Sequence, residues 1–305
     1  MKKIGIWMYE NHGGIVPKEK LIAKFESRGY QVVHGFDMRK CYLYNGDVYT
    51  DSGFNLSSLD AFWHMNADEQ TPFQRDLLQI LSLKTRVVND YNSFSKANDK
   101  MLTNFLLREA GIHVPPSVFI GDDFNRNFIR QIFDEWSVAL VKPRSGHGGK
   151  GVMRFHSFDD FCDFYQASRH VFNNYYIEKY IDFEEHDYRA EVFNGKIIGT
   201  YCRSKAAGGF KTNVSSGGAY LPLSIPENFE KVALAATKCL GITTTIVDMI
   251  LGKEDNKIYV LEVNPIMGIF VEAVLGNDFP MVDNSFRTDD SKIDHIVNYF
   301  DSILK

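Results

Sequence analysis

The sequence predicts a mixed architecture, opening on a small parallel α/β sheet and continuing into a region built on hairpins. Three observations carry this. Strand-length apolar runs alternate with helix-length stretches over residues 1–95, the pattern of βαβ units. Later, β-branched runs are joined through short polar turns, Asn194-Gly195 and Gly252-Lys-Glu-Asp-Asn256, the signature of antiparallel hairpins. A chain of 305 residues is also long enough for two or three domains.

In order, Lys3–Met8 reads as a strand, Pro17–Arg28 as a helix ended by Gly29, and Tyr30–Gly35 as a second strand. The strand Leu59–Trp63, the helix Thr71–Ser82 and the strand Arg86–Asn89 continue the alternation. Ser95–Ala110 reads as one helix closed by Gly111, and Pro115-Pro116 then forces an extended segment. Phe124–Trp136 is a helix and Val138–Lys142 a buried strand, followed by a glycine loop and the strand Gly151–His156. A helix begins near Ser157, with Asp159 and Asp160 suited to its first turn. Tyr175–Tyr180, Tyr188–Phe193 and Lys196–Arg203 read as strands, and Glu227–Leu240 as a helix ended by Gly241.

The hairpin Ile242–Pro265 carries the strongest chemical signal. Alternate residues of a strand share a face, so Glu262 and Asn264 point the same way, and folding about the turn brings Asp248 opposite, or nearly opposite, Glu262. Two carboxylates about 4 Å apart repel by roughly 4 kcal/mol at an effective dielectric of about 20. A hard divalent cation would offset that, and Mg²⁺ usually combines one or two carboxylates with substrate phosphates. A solvated sheet face with scattered acids is the alternative.

The glycine loop contains Gly146-x-Gly148-x-x-Gly151, which matches a dinucleotide fingerprint in letters only. That fingerprint needs a helix after the glycines, and here Val152–Phe155 continues as a strand. The P-loop pattern fails too, because no Ser or Thr follows Lys150. What remains is a strand–loop–strand flap whose N–H groups can close over phosphates, with Lys142 beside it as a point charge. His147 is the histidine placed nearest to this chemistry.

Other polar positions allow two readings each. Tyr176–Ile181, followed by Glu184, Glu185 and Asp187, is either a sheet edge whose backbone reads a purine or an ordinary strand entering an acidic loop. Arg189 and Arg203 lie in half-buried β-type runs and need partners, either a substrate anion or a structural salt bridge. The loop Gly208–Gly218, with Lys211 and Asn213, faces a substrate or phosphate, or else is a mobile surface loop.

Net charge is −5, which favours neither nucleic acid nor an anionic membrane as partner. No apolar run approaches the ~20 residues of a membrane span. The apolar run after Lys2-Lys3 is too short for a signal peptide. Cys41, Cys162, Cys202 and Cys239 match no metal or redox spacing. The expectation is a cytoplasmic protein, with homo-oligomerisation left open.

Taken as an ordered set, these pieces resemble the ATP-grasp superfamily, most closely the branch of ribosomal-protein glutamate ligase and glutathione synthetase. The set runs from Asn98-Asp-Lys100 through Lys142 with its glycine loop, Ile177-Glu-Lys-Tyr180, Asp187-Tyr-Arg189 and Arg203. It continues with Lys211-Thr-Asn213, Asp248 and Glu262-Val-Asn264-Pro265. The resemblance implies a preliminary α/β domain at 1–95, a small lobe with the flap at 96–180 and a large lobe with the metal hairpin at 181–305. It implies adenine at Glu178, Lys179 and Tyr180, ribose on Asp187, and Arg189 in the same nucleotide-binding set. Lys100, Lys142 and Lys211, with Gly148 and Gly149, would hold phosphates. Asp248, Glu262 and Asn264 would hold two Mg²⁺, with Mn²⁺ as a substitute. Arg203 would face the reacting carboxylate, with Lys211 and Asn213 completing the catalytic set.

The implied activity is ATP-dependent carboxylate–amine ligation, making an amide or peptide bond through an acyl phosphate and releasing ADP and phosphate. The carboxylate and amine would be small molecules or peptides. The alternatives are a small-molecule kinase and a non-catalytic ATP-binding regulator. The chain departs from relatives at Lys179, at His64-Met-Asn66 where an arginine-containing turn is common, and at Ile266-Met-Gly-Ile-Phe270.

Overall fold

A computed structural model describes residues 1–8, 15–66, 71–121, 123–146, 148–170, 175–213, 216–221, 223–267 and 290–305. His147, part of the Gly208–Gly218 loop and the end of the Ile266–Phe270 segment lie outside the described residues.

The first sheet is built from β1 (Lys3–Met8), β2 (Gln31–Val33), β5 (Ala61–Met65) and β6 (Arg86–Val88), in the order β2-β1-β5-β6. All its pairings are parallel. Helices α1 (Ile15–Ser27) and α2 (Pro72–Lys84) make the crossovers. Thr71 and Gln74 form a reciprocal capping box at the start of α2, which satisfies two otherwise orphaned donors. β5 is buried at every position, as expected of a parallel strand covered on both faces. A small antiparallel hairpin, β3 (Tyr42–Tyr44) and β4 (Asp47–Tyr49), turns through Asn45 and Gly46, both at positive φ.

The helix expected over Ser95–Ala110 is two helices, α3 (Tyr91–Asn98) and α4 (Lys100–Glu109). Asp99 between them is extended, and its carboxylate accepts from the N–H groups of Met101 and Leu102. An aspartate that caps one helix ends the previous one, and here it aims Lys100 away from the α3 axis.

The second sheet has the order β7-β10-β8-β9, from Ser117–Ile120, Tyr175–Lys179, Ala139–Lys142 and Met153–Phe155. Its helices α5 (Arg126–Trp136) and α6 (Phe158–Ser168) share a core that includes Phe133, Phe158 and Phe161. The third sheet has the order β13-β12-β11-β14-β15, with β11 His186–Phe193, β12 Lys196–Ser204, β13 Tyr220–Leu221, β14 Thr244–Leu251 and β15 Ile258–Asn264. Helix α7 (Glu227–Leu240), ended by Gly241 in the left-handed region, lays Phe229, Ala233 and Leu240 into that sheet's core.

The last helix, α8 (Asp290–Leu304), belongs to the first core. Its Ile296, Val297 and Phe300 pack with Phe25 and Trp63. Tyr30 donates to Asp301 at 2.6 Å, and a buried ion pair joins Lys292 to Glu191 of the third sheet. Among the described residues, no helix is long and apolar enough to cross a membrane.

Candidate active site

The second and third sheets face each other across an open cleft of about 870 Å³. Leu140, Val152, Ile181, Phe210, Ile250 and Leu261 give it apolar walls. Lys100, Lys142, Lys211, Arg203, Asp248 and Glu262 bring charge to it. Flat apolar walls with a few convergent charges suit an aromatic base joined to a polyphosphate.

Strand register assembles the acidic side. Asp248 and Glu262 are cross-strand partners on β14 and β15, as the sequence predicts, with a register shift immediately after Asp248. On the other flank β11 places Arg189 against Asp248, and β12 places Arg203 against Asp187. Arg189 Nε donates to Asp248 Oδ1 at 2.7 Å. Arg203 Nη2 donates to Asp248 Oδ2 at 3.0 Å and to Asp187 Oδ2 at 2.5 Å. Thr212 Oγ1 also donates to Asp187, at 2.6 Å. The arginines therefore take the salt-bridge reading, and the repulsion that called for a metal is offset here by Arg189, Arg203 and Lys100. Lys100 Nζ lies 3.0 Å from Glu262 Oε1.

These contacts set the proton affinities. Burial works against the charge of Arg189, but Asp248 beside it holds its guanidinium protonated well above the usual range. Burial pushes the Asp248 carboxyl up, against the pull of Arg189 and Arg203. Burial would raise Glu262 as well, yet Lys100 outweighs it and holds that carboxyl below its ordinary value.

The donor set fits Mg²⁺. Asn264 Nδ2 donates to Ile246 O at 2.9 Å and to Asp248 Oδ1 at 3.1 Å, so Oδ1 is the atom of Asn264 suited to a hard cation. With the two carboxylates it makes an all-oxygen set too small for a protein-only cage, which is the situation in which Mg²⁺ is shared with phosphates.

The phosphate side is built on loops. Beyond Gly151 the chain runs as β9 before any helix, so the flap reading holds and the dinucleotide fingerprint does not. Gly146, Gly148, Gly149 and Gly151 all have positive φ, a conformation open to glycine at little cost. A Cβ on Gly149 would strike the Asn213 amide, so flap and central loop touch there. Lys211 Nζ reaches Gly149 O at 3.0 Å, and Lys100 Nζ reaches Gly146 O at 2.6 Å. Burial lowers the Lys211 ammonium. Lys142 is ion-paired with Glu178, itself 2% exposed.

The sheet-edge part of the Tyr176–Ile181 reading needs correction, although Glu178 and Tyr180 themselves line the cleft. β10 is an interior strand, paired with β7 on one side and β8 on the other. Lys179 N–H donates to Pro116 O and Tyr180 N–H to Val138 O, so those groups are already spent on the sheet. Asp187 is 1% exposed and held by Arg203 and Thr212, an arrangement that suits bracing Arg203. Arg189, Lys179, Gly148 and Asn264 are not among the residues lining the cleft; Arg189 and Asn264 each donate to Asp248, which does line it. The apolar walls were missed, because Ile181, Phe210 and Ile250 carry no signal that separates them from core residues. At the end of β5, burial drives His64 down to about 3. It is neutral at working pH and does not replace an arginine's charge.

A RimK-like ATP-grasp domain is matched over residues 97–276, more than half of the chain. The chain belongs to the RimK-like ATP-grasp family. It is 29% identical over 215 residues to tetrahydromethanopterin:α-L-glutamate ligase of Methanocaldococcus jannaschii, covering 68% of this chain and 72% of that enzyme. It is 30% identical over 196 residues to a probable α-L-glutamate ligase of Histophilus somni, covering 64% of each. The chain thus spans less than two thirds of the second relative's length. Among solved structures, the ATP-grasp ligase PsnB, complexed with a precursor variant, Mg and ADP, superposes with a TM-score of 0.68. That match is at 15% identity and covers 99% of this chain and 98% of that one. This likeness is one of fold. With the family goes the class of ATP-dependent carboxylate–amine ligase, which uses ATP with Mg²⁺.

Proposed function

We propose that this RimK-like ATP-grasp protein joins a carboxylate to an amine through an acyl phosphate. The observation that carries the reading is the meeting of Lys100, Lys142 and Lys211 with Asp248 and Glu262 at one cleft. Cations aimed at a triphosphate, beside oxygen ligands for its metal, stabilise charge moving onto and off the γ-phosphoryl group. Adenine would lie between the apolar walls, and Asp248, Glu262 and Asn264 would hold Mg²⁺, two ions in the full complex and replaceable by Mn²⁺. Bound there, the metal screens the charge of the outer phosphates and orients them.

The balance is as follows. A carboxylate oxygen attacks the γ-phosphorus and ADP leaves. The amine then attacks the acyl carbon, loses a proton, and expels phosphate carrying one oxygen of the original carboxylate. Lys211 and Lys100 follow the phosphoryl charge, and Arg203, braced by Asp187, faces the carboxylate. Positioning of this kind supplies most of the rate in such transfers.

Relatives named for L-glutamate make that amino acid the first to test. The neutral, buried His64 near the end of β5 argues for a wider panel of amino acids and peptides. The experiment measures ADP release across the panel with product masses, then repeats the productive pair with oxygen-labelled carboxylate. Label in the released phosphate is expected. AMP in place of ADP, or label retained wholly in the amide, would overturn the acyl phosphate. A stable phosphorylated substrate without amine would make the protein a kinase.

A further inference from the structure

Asn89 follows the last residue of β6, in the first sheet, and is 1% exposed. Its side chain makes four hydrogen bonds, all to backbone of the metal hairpin. Oδ1 accepts from Thr243 N–H and Thr244 N–H, both at 2.9 Å. Nδ2 donates to Thr244 O at 2.8 Å and to Pro265 O at 2.7 Å. One amide therefore closes on the entry of β14 and the exit of β15 together. Asn264, immediately before Pro265, is held a second time, because Thr245 Oγ1 donates to its carbonyl at 2.6 Å.

The consequence follows from strand geometry. β15 ends at Asn264, so nothing further along the ladder holds the last oxygen ligand in register. Pro265 has no N–H to extend the pairing. The backbone at this end is fixed through side chains, and these two supply them, while the Asn264 amide itself donates to Ile246 O and Asp248 Oδ1. An amide presents donors and an acceptor in one plane, a combination that neither Asp nor Leu of similar size reproduces. Its use on two backbone segments, Thr243-Thr244 and Pro265, exceeds what closing β6 requires.

We propose that Asn89 is a positioning residue for the metal site. With Thr245 it pins the end of β15 so that Asn264 and Glu262 meet Asp248 in a geometry Mg²⁺ accepts. The inference rests on the metal assignment above. Mg²⁺ demands near-ideal octahedral geometry, so a small displacement of one oxygen reduces metal affinity while leaving the adenine walls and lysines untouched.

The test uses the full chain and its Asn89→Ala and Thr245→Val variants, with fold checked by circular dichroism. Calorimetry measures binding of a non-hydrolysable ATP analogue, first with chelator and then across a Mg²⁺ series. Wild type should bind more tightly as Mg²⁺ rises. Asn89→Ala should keep its metal-free affinity within about twofold, while the Mg²⁺ needed for half of the tightening rises about tenfold or more. Thr245→Val, which keeps the shape and loses the hydroxyl, should shift it about threefold in the same direction. An unchanged Mg²⁺ requirement in folded variants would overturn the proposal, as would an equal loss of affinity with and without metal. If Asn89→Ala does not fold, Thr245→Val decides alone by the same criteria. Wild type indifferent to Mg²⁺ would instead defeat the metal assignment, and this inference with it.

Discussion

On the hairpin side of the cleft, strand pairing brings two buried acids, Asp187 and Asp248, against arginines. Arg189 is opposite Asp248, and Arg203 is opposite Asp187, in a sheet whose register fixes both. On the flap side, Lys100 and Lys211 reach backbone carbonyls of a glycine loop, at Gly146 and Gly149. A carbonyl is a weaker partner than a carboxylate, and a loop yields more easily than a ladder. Lys211 can therefore exchange its partner for phosphate, whereas the arginines cannot leave without stranding an acid. Lys142 and Lys100 are the exceptions on that side, because each meets a carboxylate as well, Glu178 for Lys142 and Glu262 for Lys100.

The largest effect that would break this contrast is on stability. Arg189→Met leaves Asp248 without its closest cation inside the sheet. Removing one member of a buried pair costs about 3–5 kcal/mol, so the urea midpoint should fall steeply. A midpoint near wild type would show that the hairpin charges are as exchangeable as the flap's.

Lys211→Ala comes next and should act on binding instead. Loss of a charge-assisted phosphate contact is worth about 1.5–3 kcal/mol, roughly ten- to a hundred-fold in nucleotide affinity by calorimetry. The urea midpoint should stay near wild type, since only a carbonyl loses its donor. A large stability loss with unaltered affinity would reverse the assignment.

Gly149→Ala sharpens the contrast from the backbone. Its φ of +68 disfavours a side chain by about 1–2 kcal/mol, and the new methyl would push against Asn213. Nucleotide affinity should fall roughly five- to thirty-fold. Unchanged binding would mean that the flap does not close at Gly149.

The smallest effect is on the acid limb of stability. Glu262 has its folded carboxyl held below the usual glutamate value, with Lys100 overcoming the cost of burial. Its stabilisation is therefore present above the unfolded value and is lost as pH falls through the folded one. Asp248, raised by burial, works in the opposite direction, so the net slope is shallow. In Glu262→Gln, denaturation midpoints followed down from about pH 5 should fall less than in wild type. An identical slope would remove Lys100 as the cause.

Much of this was legible in sequence, for identifiable reasons. The metal hairpin announced itself through β-branched runs around a polar turn, and Asp248 faces Glu262 as alternation requires. Asn194-Gly195 gave a true turn, with both residues at positive φ. The same dipeptide at Asn45-Gly46 was passed over because its strands are only three residues long. The break at Asp99 lay hidden in a helical pattern that continues on both sides of it. The pairing of Arg189 with Asp248 links residues 59 positions apart, a matter of sheet order that no local pattern encodes. β10 looked like an edge because its partner β7 follows two prolines and has only four residues.

Helix α8 ties the end of the chain to its beginning, with Phe300 against Phe25 at 5.4 Å and against Trp63 at 5.7 Å between ring centroids. On the ribosome those rings are made far apart in time. At ~5–20 residues per second, Trp63 waits roughly ten to fifty seconds for Phe300 to be added. Throughout that interval the nascent first sheet lacks the ring that covers Phe25 and Trp63. The first sheet is thus sealed only after the second and third sheets have been made.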